Sequence, residues 1–303
     1  MIKTFDALVI LGATAGGKTA LAVAAARHFG GEIISADSRQ VYRDMDLGTG
    51  KDLAEYGEIP YHLIDIAEAG SEYNLFKFQR DCYATIAAIR QHRHLPIVCG
   101  GTGLYLDAVL KGYHLVDVPE NPQLREQVAS LSDEQLRQRL LELKPQQHNR
   151  TDLDERDRLV RAYEIALGDS SSTPAEPFVW QPLVFGLRWP RVVQRRRIAV
   201  RLKERLEQGM IAEVEGLHNA GVSWEQLEFY GLEYRYVAQY LQGKLRRSEM
   251  VQQLAVAIGQ FAKRQETFFR RMEKHGVQIT WLDAQKDPFA QLCSCVQQYR
   301  IDL

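Results

Sequence analysis

Apolar runs of strand length, separated by stretches with helical spacing, fill the first 112 positions of the chain. Asp6-Ala7-Leu8-Val9-Ile10-Leu11 is one such run, and an Ala-rich helical stretch opens at Thr19. Glu32-Ile33-Ile34-Ser35-Ala36 reads as a second short strand, and residues 61–66 are a candidate third. Across 74–92 the apolar positions Leu75, Phe78, Cys82, Ile86 and Ile89 recur at helical spacing, which predicts an amphipathic helix. Leu95-Pro96-Ile97-Val98-Cys99 then predicts a strand opening into Gly100-Gly101. Strands apolar on both faces need cover on both, and the intervening helices supply it. The pattern therefore predicts an α/β core built on a parallel sheet with helices on both faces.

The texture changes at Tyr113. Asp117-Val118-Pro119-Glu120-Asn121-Pro122 reads as a linker, and 124–143 and 155–167 are helical and polar with no strand between them. Residues 168–177, with Ser170-Ser171-Ser172, read as a loop. Strand character resumes at Pro182-Leu183-Val184-Phe185-Gly186-Leu187. Helices follow over 192–219 (ending at Gly221), 234–241 and 248–274, then a last strand over 277–282. A helical insertion into an α/β core accounts for this order better than two tandem domains. The expected organisation is a core of 1–112 and 182–303, with a small all-helical insertion of 113–181.

Composition narrows the classes. With 45% hydrophobic and 25% charged residues among 303, the chain has the make-up of an ordinary globular protein. No apolar stretch approaches the length of a membrane span, and the first residues run almost directly into a strand, which leaves no room for a secretory leader. The expected state is a cytoplasmic monomer without membrane contact. Cys82, Cys99, Cys293 and Cys295 lack zinc spacing and read as reduced thiols. The net charge of −1 conceals segregation: residues 188–274 hold 17 Lys/Arg against 10 Asp/Glu, whereas 113–181 hold 8 against 13. The first count allows a basic surface for nucleic acid, and equally allows cations that solvate long helices.

Gly12-Ala13-Thr14-Ala15-Gly16-Gly17-Lys18-Thr19 fits the P-loop pattern G-x-x-x-x-G-K-[ST], set between a strand and a helix as that motif requires. Glycines let backbone N–H groups wrap an anion, the helix N-terminus adds its dipole, Lys18 adds a charge and Thr19 can ligate Mg²⁺. Asp37 follows the second strand, within Ser35-Ala36-Asp37-Ser38-Arg39-Gln40-Val41-Tyr42. Ligands of open α/β sheets bind beyond the carboxyl ends of the strands, so Asp37 and Lys18 should face one cleft. There Asp37 can hold a hydrated Mg²⁺ or accept a proton; it can also cap a following helix. The acid that a nucleoside triphosphatase carries at a strand end is missing. Leu63-Ile64-Asp65 is too short an apolar run, and the strand at 95–99 ends in Gly100-Gly101-Thr102-Gly103. Triphosphate hydrolysis is not the natural reading, and the phosphorylated ligand stays open. Gly100 and Gly101 permit close backbone approach, and Thr102 can hydrogen-bond a ligand.

Together these stretches resemble one family, the tRNA dimethylallyltransferases (tRNA isopentenyltransferases). The P-loop, the segment 33–42, Met45-Asp46-Leu47-Gly48-Thr49, His62-Leu63-Ile64-Asp65 and Gly100-Gly101-Thr102-Gly103-Leu104-Tyr105 carry the resemblance. So do Arg158-Leu159-Val160-Arg161-Ala162-Tyr163-Glu164 and Ala262-Lys263-Arg264-Gln265, and it spans residues 6 to 283. It implies a P-loop NTPase-like fold and transfer of a dimethylallyl group from its diphosphate to N6 of the adenosine 3′-adjacent to the anticodon. The implied partners are the tRNA anticodon stem-loop and dimethylallyl diphosphate, with Mg²⁺ as cofactor. By the same resemblance, residues 12–19 would hold the diphosphate with Mg²⁺ on Thr19, and Asp37 would bind the adenine N6 amine and take its proton. Arg201 would join Lys18 and Thr19 in neutralising the diphosphate; without the resemblance it reads as an exposed helical arginine. Ser38, Gln40 and Thr102 match positions that hold the extruded adenosine and its neighbours, Arg39 is grouped with them, and Arg125, Arg158 and Arg161 match tRNA-contacting positions. The basic stretch from Lys263-Arg264 to Arg270-Arg271 is either a further phosphate rail or a solvated helix face.

The chain departs from the family's commoner motifs in three places. Gly48-Thr49-Gly50-Lys51-Asp52 stands for Gly-Thr-Ala-Lys-Pro, Gly231-Leu232-Glu233-Tyr234-Arg235 for Ile-Gly-Tyr-Arg/Lys, and Ile258-Gly259-Gln260-Phe261 lacks a usual Thr-Arg pair. These departures bear on tRNA choice rather than on prenyl transfer, and they fit a divergent paralogue. Three other readings stay open: an isopentenyltransferase on free adenine nucleotides, a small-molecule P-loop kinase, and a tRNA-binding protein that has lost catalysis.

Overall fold

In the computed structural model, which describes residues 3–145, 155–169 and 178–303, the chain begins with β1 (Lys3–Phe5), β2 (Ala7–Gly12), α1 (Lys18–Phe29), β3 (Gly31–Ser35) and β4 (Tyr61–His62). It continues through α2 (Leu75–Gln91), β5 (Leu95–Gly100), α3 (Gly103–Lys111), α4 (Pro122–Ala129), α5 (Asp133–Leu143) and α6 (Arg156–Asp169). The last third comprises β6 (Pro182–Arg188), α7 (Arg191–Gln208), α8 (Met210–Asn219), α9 (Trp224–Phe229), α10 (Leu232–Leu241), α11 (Arg247–Lys274), β7 (Ile279–Asp283), α12 (Pro288–Val296) and β8 (Tyr299–Ile301). Two compact units result: Met1–Lys111 with Phe178–Leu303, and Gly112–Pro177.

The larger unit is built on a six-stranded sheet in the order β4-β3-β5-β2-β6-β7, parallel throughout, with β1 and β8 forming a separate parallel pair. β2 and β5 are buried at every position, which is why they read as unbroken apolar runs. Side chains alternate across β2. Leu8 and Ile10 pack with α1 and α12, while Val9 and Leu11 pack with α2, α3 and the end of α11. A further apolar cluster joins α7, α8, α10 and α11 through Ile198, Leu202, Val214, Tyr234 and Ile258. The smaller unit packs α4, α5 and α6 around Val128, Leu136, Leu140 and Leu159.

Several boundaries differ from the sequence reading, each for a backbone reason. The third strand stops at His62 because Leu63 (φ 61°) and Asp65 (φ 54°) take left-handed conformations that leave extended geometry. The helix expected over 192–219 breaks at Gly209 (φ 108°), whose N–H caps α7 on Arg205 O before α8 starts. Likewise 124–143 divides at Ser132, which caps α5 in a capping box with Gln135. Most of the serine-rich loop, residues 170–177, lies outside the described residues.

Glu32 on β3 binds two histidines, with His62 Nε2 and His94 Nδ1 each 2.6 Å from one of its oxygens. Burial alone would raise its pKa, but the hydrogen bonds from His94 and His62 outweigh that and hold the carboxyl below its ordinary value. A depressed carboxylate stabilises the fold above its unfolded value and loses that contribution as pH falls through the folded one. Glu32→Gln is expected to cost ~2 kcal/mol at pH 7. In melting curves the gap between wild type and variant should narrow on acidification below the carboxylate range; a gap that widens there would refute the assignment.

Candidate active site

The loop between β2 and α1 is gripped from one side by β6 and α7. Trp189 Nε1 donates to Gly16 O (2.9 Å), Arg197 Nε to Ala15 O (2.8 Å), and Gln194 Nε2 to Thr14 O. The Arg197 guanidinium also stacks on the Trp189 ring at 4.5 Å. Because C=O and the following N–H are antiparallel in a trans peptide, these bonds turn the N–H groups of Ala15, Gly16 and Gly17 away from their donors. An amide cradle for an anion requires that orientation. Gln265 of α11 accepts from Thr14 N–H (2.8 Å) and donates to Gly101 O (2.9 Å), so α11 ties the loop to the end of β5. The sequence reading did not assign Trp189, Gln194, Arg197 or Gln265 to the site. The available signal was a polar residue on a buried helix face, as at Gln194 and Gln265.

Lys18 Nζ donates to Ala13 O (3.1 Å). Burial lowers the Lys18 pKa, Arg201 adds to the lowering and Asp37 opposes it. Arg201 Nη2 donates to Thr14 Oγ1, which places this arginine against the P-loop rather than in solvent. Burial brings the Arg201 pKa down to about 10, with Arg205 contributing and Glu233, Asp52 and Asp37 opposing. Arg201 is a cation at neutral pH, and Asp37 is within electrostatic reach of Arg201 and Lys18.

Asp37 lies just past β3. Ala36 N–H bonds Cys99 O (2.8 Å) and Thr102 N–H bonds Ala36 O (3.3 Å), which brings the ends of β3 and β5 together. The approach excludes any side chain at Gly100, where a Cβ would lie 2.1 Å from Ala36 O. Asp37 caps no helix, for the chain turns instead: Arg39 N–H donates to Asp37 Oδ1 (2.9 Å), while Oδ2 has no hydrogen bond among the described residues. Thr102 Oγ1 accepts from Ser38 N–H at 3.0 Å. Gln40 is engaged at both ends, accepting from Ser35 Oγ (2.9 Å) and donating to Gly50 O (3.1 Å). Arg39 stacks over Phe229, 5.2 Å from the ring centre, and 68% of Phe229 is exposed.

The 46–52 loop has its own support. Buried Lys51 donates to Tyr42 O (2.6 Å), Asp46 Oδ1 (2.8 Å) and Asp65 Oδ1, so Asp65 is a structural counter-ion and not a catalytic acid. Glu213 accepts from the N–H groups of Asp46 (3.1 Å), Leu47 (2.6 Å) and Gly48 (3.0 Å) and from Tyr234 OH (2.6 Å).

This geometry, a P-loop facing a carboxylate at the strand ends, agrees with the relatives the chain has. A family model described as IPP transferase matches residues 40–272, and one described as isopentenyl transferase matches residues 5–58. The chain belongs to the IPP transferase family. It is 60% identical to tRNA dimethylallyltransferase 2 of Syntrophotalea carbinolica, over 95% of this chain and 98% of that one. Identity to tRNA dimethylallyltransferase 1 of Geotalea uraniireducens is 57%, over 94% of each. The crystal structure of the full-length tRNA isopentenylpyrophosphate transferase of Bacillus halodurans superimposes with a TM-score of 0.70 at 30% identity, covering 96% of this chain and 94% of that one.

This family member has no cluster of three His, Cys, Asp or Glu side chains fit for a metal among the described residues. The oxygens that could serve a metal near the P-loop are the Thr19 hydroxyl, in the first turn of α1, and the Asp37 carboxylate past β3. So sparse a set fits Mg²⁺, which keeps several waters and is held largely by substrate phosphates. No described helix is long and apolar enough to cross a membrane.

In the helical unit, Arg125 and Arg161 converge on Glu164, whose side chain is 1% exposed. Arg125 makes a two-pronged pair with it (2.9 and 3.1 Å), and Arg161 adds a bond at 3.1 Å and another to Val118 O at 2.7 Å. Burial alone would raise the Glu164 pKa, but bonds from Arg125, Asn121 N–H and Arg161 hold it below its ordinary value. Arg125 thus braces α4 against α6 and Arg161 ties α6 to Val118, ahead of α4, whereas Arg158 makes a surface pair with Glu155 at 3.1 Å. Glu164→Ala, which strands two guanidiniums, is expected to destabilise this unit by ~3 kcal/mol. Amide exchange should accelerate in α6 and stay unchanged in β2; unchanged protection in α6 would refute the bracing role. On α11, Lys263, Arg264, Thr267, Phe268 and Arg271 line a groove of about 440 Å³.

Proposed function

We propose that this protein transfers the dimethylallyl group of dimethylallyl diphosphate to N6 of the adenosine 3′-adjacent to the anticodon of tRNA, releasing diphosphate. One observation carries the reading. The Asp37 carboxylate, with Oδ2 free of hydrogen bonds among the described residues, stands past the end of β3, which Ala36 and Thr102 join to the end of β5, and Lys18 Nζ of the P-loop lies 3.6 Å from the Cβ position of Gly101 at that same end. A base and a leaving-group site therefore share one cleft. The adenine amine is a weak nucleophile, so the reaction needs an oriented acceptor, a base and stabilisation of the departing anion.

In this reading the N6 lone pair attacks C1 of the donor. The C1–O bond breaks with its electrons going to the diphosphate, and the N6 proton passes to Asp37. The amides of Ala15, Gly16 and Gly17, with Lys18 and Arg201, take up the developing charge. Thr19 would hold Mg²⁺, which when bound would neutralise part of that charge. Ser38 and Thr102 fix the rim where the adenine enters. A base must leave the anticodon-loop stack to reach Asp37, and exposed Phe229 with Arg39 offers a stacking surface for its neighbours.

The test is to incubate the protein with Mg²⁺, labelled dimethylallyl diphosphate and tRNA lacking the modification, then digest to nucleosides. Label should appear on adenosine N6 from the position after the anticodon. Label confined to added AMP, or ATP consumed without prenyl transfer, would replace this reading with a nucleotide prenyltransferase or a kinase.

A further inference from the structure

One turn beyond Arg201, α7 brings a second arginine to the same region. Arg205 is 4% exposed, and its Nη2 makes no hydrogen bond among the described residues; the Asp52 carboxylate faces it at 3.6 Å, beyond hydrogen-bond reach. The guanidinium packs on Gly50, which lies in the left-handed region at φ 77°. A Cβ there would be 2.3 Å from Nη2 and 3.0 Å from Cζ. Gly50 is itself fixed, its N–H donating to Asp46 O (2.8 Å) and its carbonyl accepting from Gln40 Nε2 (3.1 Å). Positions 50 and 52 both depart from the Gly-Thr-Ala-Lys-Pro motif. An alanine at 50 would collide with the guanidinium, and a proline at 52 would remove its carboxylate. Gly50, Asp52 and Arg205 form one constellation.

A buried guanidinium with an unused N–H is unfavourable unless something supplies the acceptor. Its neighbours indicate what that is. Lys18 Nζ bonds Ala13 O, Arg201 Nη2 bonds Thr14 Oγ1 and the Arg205 guanidinium packs on Gly50, so three basic side chains run from the P-loop toward the 46–52 loop. Arg201 and Arg205, four residues apart on a helix, stand ~5–6 Å apart at Cβ. Two further carboxylates within electrostatic reach, Glu55 and Glu233, make no ion pair with either arginine among the described residues, and burial raises the pKa of both. Cations lined up with an unpaired donor at their end suit an extended polyanion better than a single carboxylate.

We propose that Arg205 is a third cation of the donor site, its Nη2 donating to a diphosphate oxygen beyond those reached by Lys18 and Arg201. The proposal rests on the donor being a prenyl diphosphate, as set out under the proposed function. Gly50 leaves the space for the guanidinium, and Asp52 holds it from the solvent side.

The experiment compares wild type, Arg205→Gln, Gly50→Ala and the double variant as full chains. Binding of inorganic diphosphate is measured by calorimetry, and KM is measured separately for dimethylallyl diphosphate and tRNA. Arg205→Gln should raise the diphosphate Kd and the donor KM about tenfold or more, leave the tRNA KM unchanged and leave Tm unchanged or higher. Gly50→Ala should weaken diphosphate binding in the wild-type background and not further in Arg205→Gln. Active wild type alongside an Arg205→Gln variant with unchanged donor constants, or with losses that follow a fall in Tm, overturns the role of Arg205 alone. A wild type that moves no label from dimethylallyl diphosphate to tRNA overturns the underlying reading, and this proposal with it.

Discussion

Asp37→Asn lowers the rate of prenyl transfer by ~10²-fold or more while leaving tRNA affinity nearly unchanged. Asparagine keeps the oxygen that receives Arg39 N–H, so the turn after β3 survives the change. What is lost is the second oxygen as a base: an amide cannot take the proton released when N6 attacks. Asp37→Ala should cost at least as much and also loosen the turn. Single-turnover rates measured at saturating tRNA separate chemistry from binding, and normal turnover in Asp37→Asn would reject the general-base role.

Lys18→Met should have a comparable or larger effect, ~10²–10³-fold on kcat/KM for the donor, by removing a preorganised positive group from the developing diphosphate. Methionine retains the length and apolar stem of lysine. It also removes an ammonium that burial and Arg201 already disfavour. The variant should therefore fold with an equal or higher Tm, as buried charges replaced by apolar groups often do. Activity lost together with stability would show that Lys18 supports the loop through Ala13 rather than the leaving group.

The chain's local chemistry was legible where it depends on neighbours in sequence. β2 and β5 are buried at every position, so their composition alone marks them as central strands. The P-loop is a contiguous turn, and Asp37 follows from where a parallel sheet places its strand ends. What was hidden depends on distant partners. Gln265 meets Thr14 across 251 positions, and Gln194 meets it across 180. Arg205 reads as one more helical cation until the fold sets it on Gly50. Gly209 lies in a pattern whose apolar spacing continues through it, and only its left-handed backbone breaks the helix. Equally hidden was the partner of Arg125 and Arg161 in the insertion, a buried carboxylate, Glu164, within their own unit.

The central claim is that the P-loop holds a leaving diphosphate opposite a base for adenine. The most direct measurement follows inorganic diphosphate release on mixing the protein with Mg²⁺, labelled dimethylallyl diphosphate and unmodified tRNA. One diphosphate should appear per label bound to tRNA, none without tRNA, and added ATP should stay intact. Diphosphate released without label entering tRNA, or phosphate released from ATP, would contradict the account.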